Sequence, residues 1–153
     1  MDAVESTEWD KGWNFTGMGQ YGASLSALDS AIIALGRTRD KRGLTAILDK
    51  VGQLDEKSEF SHSRAVAMAL ETMGDAAAAQ ALANLLQKPD IMGHAFTEIE
   101  DAKLRTPDSR TDTQTRNNSL RELILARALY HCGDYEGLGE KILTEYASDL
   151  RGH

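Results

Sequence analysis

The stretch Ser63-Arg64-Ala65-Val66-Ala67-Met68-Ala69-Leu70-Glu71-Thr72-Met73-Gly74-Asp75 runs straight into Ala76-Ala77-Ala78-Ala79-Gln80-Ala81-Leu82. It continues to Leu85-Leu86 and Lys88-Pro89-Asp90. Val66, Leu70 and Met73 fall at helical spacing before the glycine, and Ala79, Leu82 and Ala83 at helical spacing after the aspartate. With 3.6 residues per turn, each set makes one apolar stripe. Between the stripes, Gly74 can close a helix in the left-handed conformation and Asp75 can cap the next with its carboxylate. The segment reads as helix, tight turn, helix.

The same phrase returns on either side. Ala34-Leu35 precedes Asp40, and Ala128-Leu129 precedes Gly133-Asp134. Offsets of four, seven and eight from Asp40 carry Leu44, Ile47 and Leu48, and offsets of four, eight and nine from Asp134 carry Leu138, Ile142 and Leu143. Upstream lie Leu28, Ile32 and Leu35, and then Leu125 and Leu129. In the first turn Arg39 stands where the others have glycine, so that turn is expected to be built differently or strained. Self-similar units of this size mean stacked helical hairpins. The expected fold is all-α, a short α-α solenoid of about three hairpins, at roughly 23–54, 60–88 and 119–150, behind an irregular segment 1–22. At these turns Asp40, Asp75 and Asp134 are helix caps before they are candidates for chemistry.

The middle unit resembles a HEAT-like repeat of the phycobilisome-lyase type. That pattern has an arginine, spaced alanines, Ala-Leu, a Gly-Asp turn, a leucine-rich second helix and a closing Pro-Asp. The outer units match it only at the turn and the second helix, as divergent copies or caps would. The resemblance implies an architecture that occurs in adaptors, enzyme-associated modules and lyases. A second resemblance joins the opening Trp9-Asp10-Lys11-Gly12-Trp13-Asn14-Phe15-Thr16-Gly17-Met18-Gly19-Gln20-Tyr21-Gly22 and the ending from Leu129 to Gly152 to the C-terminal portion of large bacterial FAD-dependent oxidoreductase-like proteins. It rests on local phrases, with no flavin-binding motif. It implies an accessory domain of a longer enzyme, and an alternative in which a lyase-like repeat handles a prosthetic group.

Segment 1–22 gathers Trp9, Trp13, Phe15 and Tyr21, aromatics that bury large area at small side-chain entropy cost. They either cover the open first hairpin or contact a partner. Gly17-Met18-Gly19-Gln20-Tyr21-Gly22 spells G-x-G-x-x-G, but Trp13-Asn14-Phe15-Thr16 is a poor strand and two helices follow. Dinucleotide binding needs strands on both sides of that turn, so the glycines are expected to permit a close-packed backbone instead.

From Asp40 to Asp75 is 35 residues and from Asp75 to Asp134 is 59, which exposes an insertion at 89–118. Its first part, Ile91–Leu104, has a short helical pattern. Its second part is polar throughout and is expected to be a mobile loop that carries Arg105, Arg110 and Arg116, as a recognition element or as a solvated linker. Ser119 with Glu122 reads as the capping box that opens the third hairpin.

A net charge of −7 and a pI near 5.0 do not suit nucleic acid, which needs clustered Lys and Arg. The nearest cluster, Arg37, Arg39, Lys41 and Arg42, reads as an exposed turn. No run approaches the roughly twenty apolar residues of a membrane span. One cysteine, Cys132, cannot make an internal disulfide and reads as a small, half-buried helix-end residue. His62, His94, His131 and His153 are dispersed, with no i, i+4 pair to hold a metal. His62 is expected to be exposed or capping. No Gly-x-Ser-x-Gly elbow and no distinct pair of carboxylates occurs.

The sequence therefore predicts a non-catalytic scaffold or protein-interaction module without cofactor or metal, whose partner is another protein or a further domain of its own chain. Trp9, Trp13, Phe15, Tyr21, Arg105, Arg110 and Arg116 are its candidate partner-binding residues. Leu138, Ile142, Leu143 and Tyr146 are expected to present an apolar stripe at the last repeat, against which a second copy would pack.

Overall fold

The computed structural model describes residues 2–9, 25–105 and 113–150. Among them are α-helices and two short 3₁₀ turns, and no strand. In chain order the helices are α1 (Asp2–Ser6), α2 (Ala27–Thr38), α3 (Leu44–Gly52), α4 (Phe60–Met73), α5 (Ala79–Leu86), α6 (Ile99–Arg105), α7 (Thr113–His131) and α8 (Leu138–Ala147). The hairpins are α2–α3, α4–α5 and α7–α8. The fold is an all-α helical repeat.

The turns follow from the acids in them. Asp40 accepts from the Arg42 amide at 3.0 Å, and Asp75 from the Ala77 amide at 3.0 Å. Each caps a 3₁₀ turn, Lys41–Gly43 or Ala76–Ala78, that leads into the second helix of its hairpin. Gly74 closes α4 with φ +59°, its amide donating to Leu70 O at 2.8 Å. At the equivalent place Arg39 takes φ +55°, a conformation in which a side chain is disfavoured, and its amide bonds to Gly36 O. The third turn is longer. Asp134 reaches across it to accept from the amides of Tyr135, Gly139 and Glu140, tying down the first turn of α8.

The first helices of the three hairpins form one layer. Asp29 of α2 meets His62 of α4, and Gly36, seven residues on, meets Ala69, also seven residues on. The two helices therefore run parallel, as successive repeats of a solenoid do. The α4–α7 joint is parallel as well: Arg121 donates to the carbonyls of Glu56 and Ser58 just before α4, while Arg127 pairs with Glu71 further along it. Beneath this layer lie the second helices. Ile32, Ile47, Leu70, Leu82, Leu86 and Leu129 have no exposed surface or almost none, each burial stabilising by about 2 kcal/mol. Lys88 then donates to Gly52 O and Leu54 O, linking the end of the second hairpin to the end of the first.

Gly36 sets how closely α2 and α4 approach. A Cβ there would stand 2.4 Å from Ala69 Cα, a backbone atom that no rotamer can move. We expect Gly36→Ala to destabilise by about 1–3 kcal/mol in urea melts, despite the better helix propensity of alanine. A neutral or stabilising result would mean that the helices are further apart.

The structure departs from the sequence-based expectations in four places. Segment 2–6, read as irregular, is a single helical turn held by tertiary contacts: Val4 is buried, and Lys50 donates to Thr7 O at 2.6 Å. The third hairpin begins at Thr113, so Ser119 lies inside α7 and donates its hydroxyl to Thr115 O at 3.0 Å instead of capping the helix. In the insertion the short helix expected over Ile91–Leu104 is confined to Ile99–Arg105, with Ile91 buried upstream of it and Ile99 57% exposed. Finally, Ile142 and Tyr146 are buried in the chain itself instead of facing outward, with Leu138 and Leu143 packed against the same core. Phe96 clasps that end, its amide donating to Asp149 Oδ2 at 3.0 Å and its carbonyl accepting from Leu150 N at 2.9 Å.

Candidate interaction face

Each first helix uses three sides of its surface for packing. On α4, His62 and Ala69 turn to α2, Leu70 to the core, and Glu71 to α7, which leaves Arg64, Met68 and Thr72 partly exposed. On α7 the corresponding arc carries exposed Arg116 and Arg127 with half-buried Leu120 and Leu123. On α2 it carries exposed Arg37. Because the three helices are parallel neighbours, these arcs join into one face. Arg127 donates to Glu71 from Nε at 3.0 Å and Nη2 at 2.9 Å, and His131 Nε2 stands 3.7 Å from the same carboxylate.

A second cluster lies buried between α2 and α4. The side chains of Asp29 and His62 are 0% and 5% exposed, and Asp29 Oδ1 is 2.7 Å from His62 Nδ1. Ser26 and Asp29 form a reciprocal capping box at the start of α2, with bonds of 2.9 and 3.0 Å. Burial would push the Asp29 carboxyl up, but hydrogen bonds from His62 and the Ser26 amide prevail and hold it below the ordinary carboxylate value. Asp29 is therefore an anion, and His62 Nδ1 carries the proton between them. The Trp9 ring stacks on His62 with centroids 4.3 Å apart.

This cluster contains a serine, a histidine and an aspartate, yet it is not arranged as a nucleophilic relay. Ser61 Oγ stands 3.5 Å from His62 Nδ1, the nitrogen that Asp29 already occupies. A relay needs serine and aspartate on opposite ring nitrogens. What the arrangement does is pin α2 and α4 together at one end of the layer, with Trp9, just after α1, stacked on them.

Other chemically suggestive residues are bonded into the fold. Cys132 is buried, its Sγ donating to Leu70 O at 3.5 Å, and burial pushes its thiol up to about 11. Thiolate being the reactive form, we expect native Cys132 to react with a thiol-specific disulfide reagent at pH 8 at least a hundredfold more slowly than in urea-unfolded chain. Equal rates would place it at the surface. Burial likewise lowers Arg121 from its usual value, against the opposing charges of Asp55, Glu56 and Glu59. Among the described residues no group of three or more His, Cys, Asp or Glu could hold a metal ion, and no helix is long and apolar enough to cross a membrane.

Of the residues singled out from sequence, Arg116 lies on the exposed face of α7, and Trp9 is half-buried, stacked on His62. Trp13, Phe15, Tyr21 and Arg110 lie outside the described residues, as does the side chain of Arg105 at the end of α6. His62, read as exposed or capping, is buried and paired. Ser26 and Asp29 spell a local capping box in the sequence, but the contact of that acid with His62 in the next repeat is seen only in the fold. The outward arginines of α2 and α4 were visible only singly.

The fold and this face define a helical-repeat module. The family model of the PBS lyase HEAT-like repeat matches residues 64–88, which is the middle hairpin from the second turn of α4 to two residues past α5. No curated protein and no solved structure matches the chain.

Proposed function

We propose that this chain is a non-catalytic protein-interaction module that receives its partner on the outward face of α2, α4 and α7. HEAT-like repeats commonly mediate protein interaction, and the partner is a separate protein or a further domain of the same polypeptide. The observation that carries the reading is the division of side chains. The buried ionisable groups are engaged in holding helices together, whereas Met68, Leu120 and Leu123 stay partly exposed within a ring of arginines. Half-exposed apolar side chains inside a charged rim are what a protein interface is built from.

The test is site-specific photo-crosslinking in the cell of origin, with the probe at Thr72 on the outward face or at Gln80 on α5. A discrete adduct from position 72 and none from position 80 is the expected result. Adducts from both positions alike, or from neither, would contradict the assignment.

A further inference from the structure

We infer that this face selects an acidic protein segment with interspersed apolar side chains. The inference rests on the binding reading above and names the class of partner. The chain as a whole carries −7, yet its three first helices are basic: Arg37, Arg64, Arg116, Arg121 and Arg127 stand against Asp29, Glu71 and Glu122. Asp29 and Glu122 are buried and bonded internally, and so is Arg121. The outward surface of these helices thus shows Arg37, Arg64, Arg116 and Arg127 with Glu71 as the one acid among the described residues, and Glu71 is already paired with Arg127.

The parallel register places the arginines at two levels. Arg37 lies near the end of α2 and Arg127 beside Glu71 near the end of α4, while Arg64 and Arg116 lie toward the helix starts. Met68 sits between these levels on the central helix. Neighbouring helix axes are about 8–10 Å apart, so the outer arginines span roughly 20 Å. That is about thirteen residues of a docked helix or six of an extended strand. Guanidinium groups bind carboxylates bidentately and keep their charge at every physiological pH. A protein that is acidic overall but sets Arg37, Arg64 and Arg116 around an apolar patch, with the one acid of these outward helix surfaces already paired, attracts an acidic segment here.

The probe is a fluorescein-labelled fourteen-residue peptide of glutamates with leucine at every fourth position. Fluorescence anisotropy would compare it with the same peptide carrying lysine for glutamate and with a twelve-nucleotide oligothymidylate. The acidic peptide is expected to bind saturably and more weakly as salt rises, and the lysine peptide not to bind. Combining Arg37→Gln, Arg64→Gln and Arg116→Gln should weaken binding at least tenfold, whereas Lys41→Gln with Arg42→Gln at the first turn should leave it within twofold. Absence of saturable binding, equal affinity of the triple variant, or tighter binding of the oligonucleotide would overturn the inference. A cross-link at Thr72 without acidic-peptide binding would remove this partner class alone; loss of both would remove the module reading too.

Discussion

Asp29→Ala is expected to lower the unfolding free energy by about 3–5 kcal/mol, the cost of losing two hydrogen bonds to a buried charged acceptor and leaving their donors enclosed. Three roles fail at once. The carboxylate accepts from His62 at 2.7 Å, closes the capping box with Ser26, and sits wholly buried between two repeats. Asp29→Asn keeps the shape and an acceptor oxygen and should cost less than half as much. The pair should also appear in a double-mutant cycle, with coupling above about 1 kcal/mol between Asp29→Asn and His62→Gln. The pH dependence has a definite sign. The folded-state value of Asp29 is depressed, so its contribution is complete above the unfolded carboxylate value near 3.9 and is lost as pH falls through the lower folded value. Denaturant titrations from pH 6 down to pH 2 should find wild type losing stability more steeply than Asp29→Asn in that acid window. Parallel curves, or an Asp29→Ala change under 1 kcal/mol, would show that the pair does not join the repeats.

Glu122→Ala is expected to cost about 3 kcal/mol and to loosen the insertion selectively. The two oxygens of Glu122 accept from the amides of Gly93 and His94 and from the Tyr146 hydroxyl, each at 2.8 Å. Hydrogen bonds to a buried carboxyl group are worth about 1.5–3 kcal/mol apiece, and they are partly redundant when they hold the same segment. Limited proteolysis should cut the variant first between Met92 and Glu98, while α2 to α5 remain protected. Uniform destabilisation with unchanged cleavage sites would mean that Glu122 acts on the core as a whole and not on this clasp.

These two acids also mark where the sequence was legible and where it was not. Asp40, Asp75 and Asp134 act within a few residues of themselves, and local spacing is enough to read such a cap. Asp29 and Glu122 act across 33 and 28 or 29 positions of sequence, where spacing carries no information about contact. The Ser119–Glu122 motif misled for the same reason: it fits a capping box locally, but α7 extends two turns upstream and frees Glu122 for the insertion. The buried face of α8 was read correctly as apolar and wrongly as outward, because periodicity identifies a stripe and not what it packs on. The arginine face has the same character. Each arginine is unremarkable in sequence, and only the parallel register of α2, α4 and α7 assembles them.

That register is the central claim, and paramagnetic relaxation in solution tests it most directly. A nitroxide attached at Arg37→Cys, with buried Cys132 unlabelled, reports by a steep inverse-sixth-power decay which end of α4 lies nearest. With the first helices parallel, the amide signals of Thr72 and Met73 should vanish while those of Phe60 and Ser61 survive. The reverse gradient, with Phe60 and Ser61 lost and Thr72 retained, would contradict the stacking of repeats on which the interaction face depends.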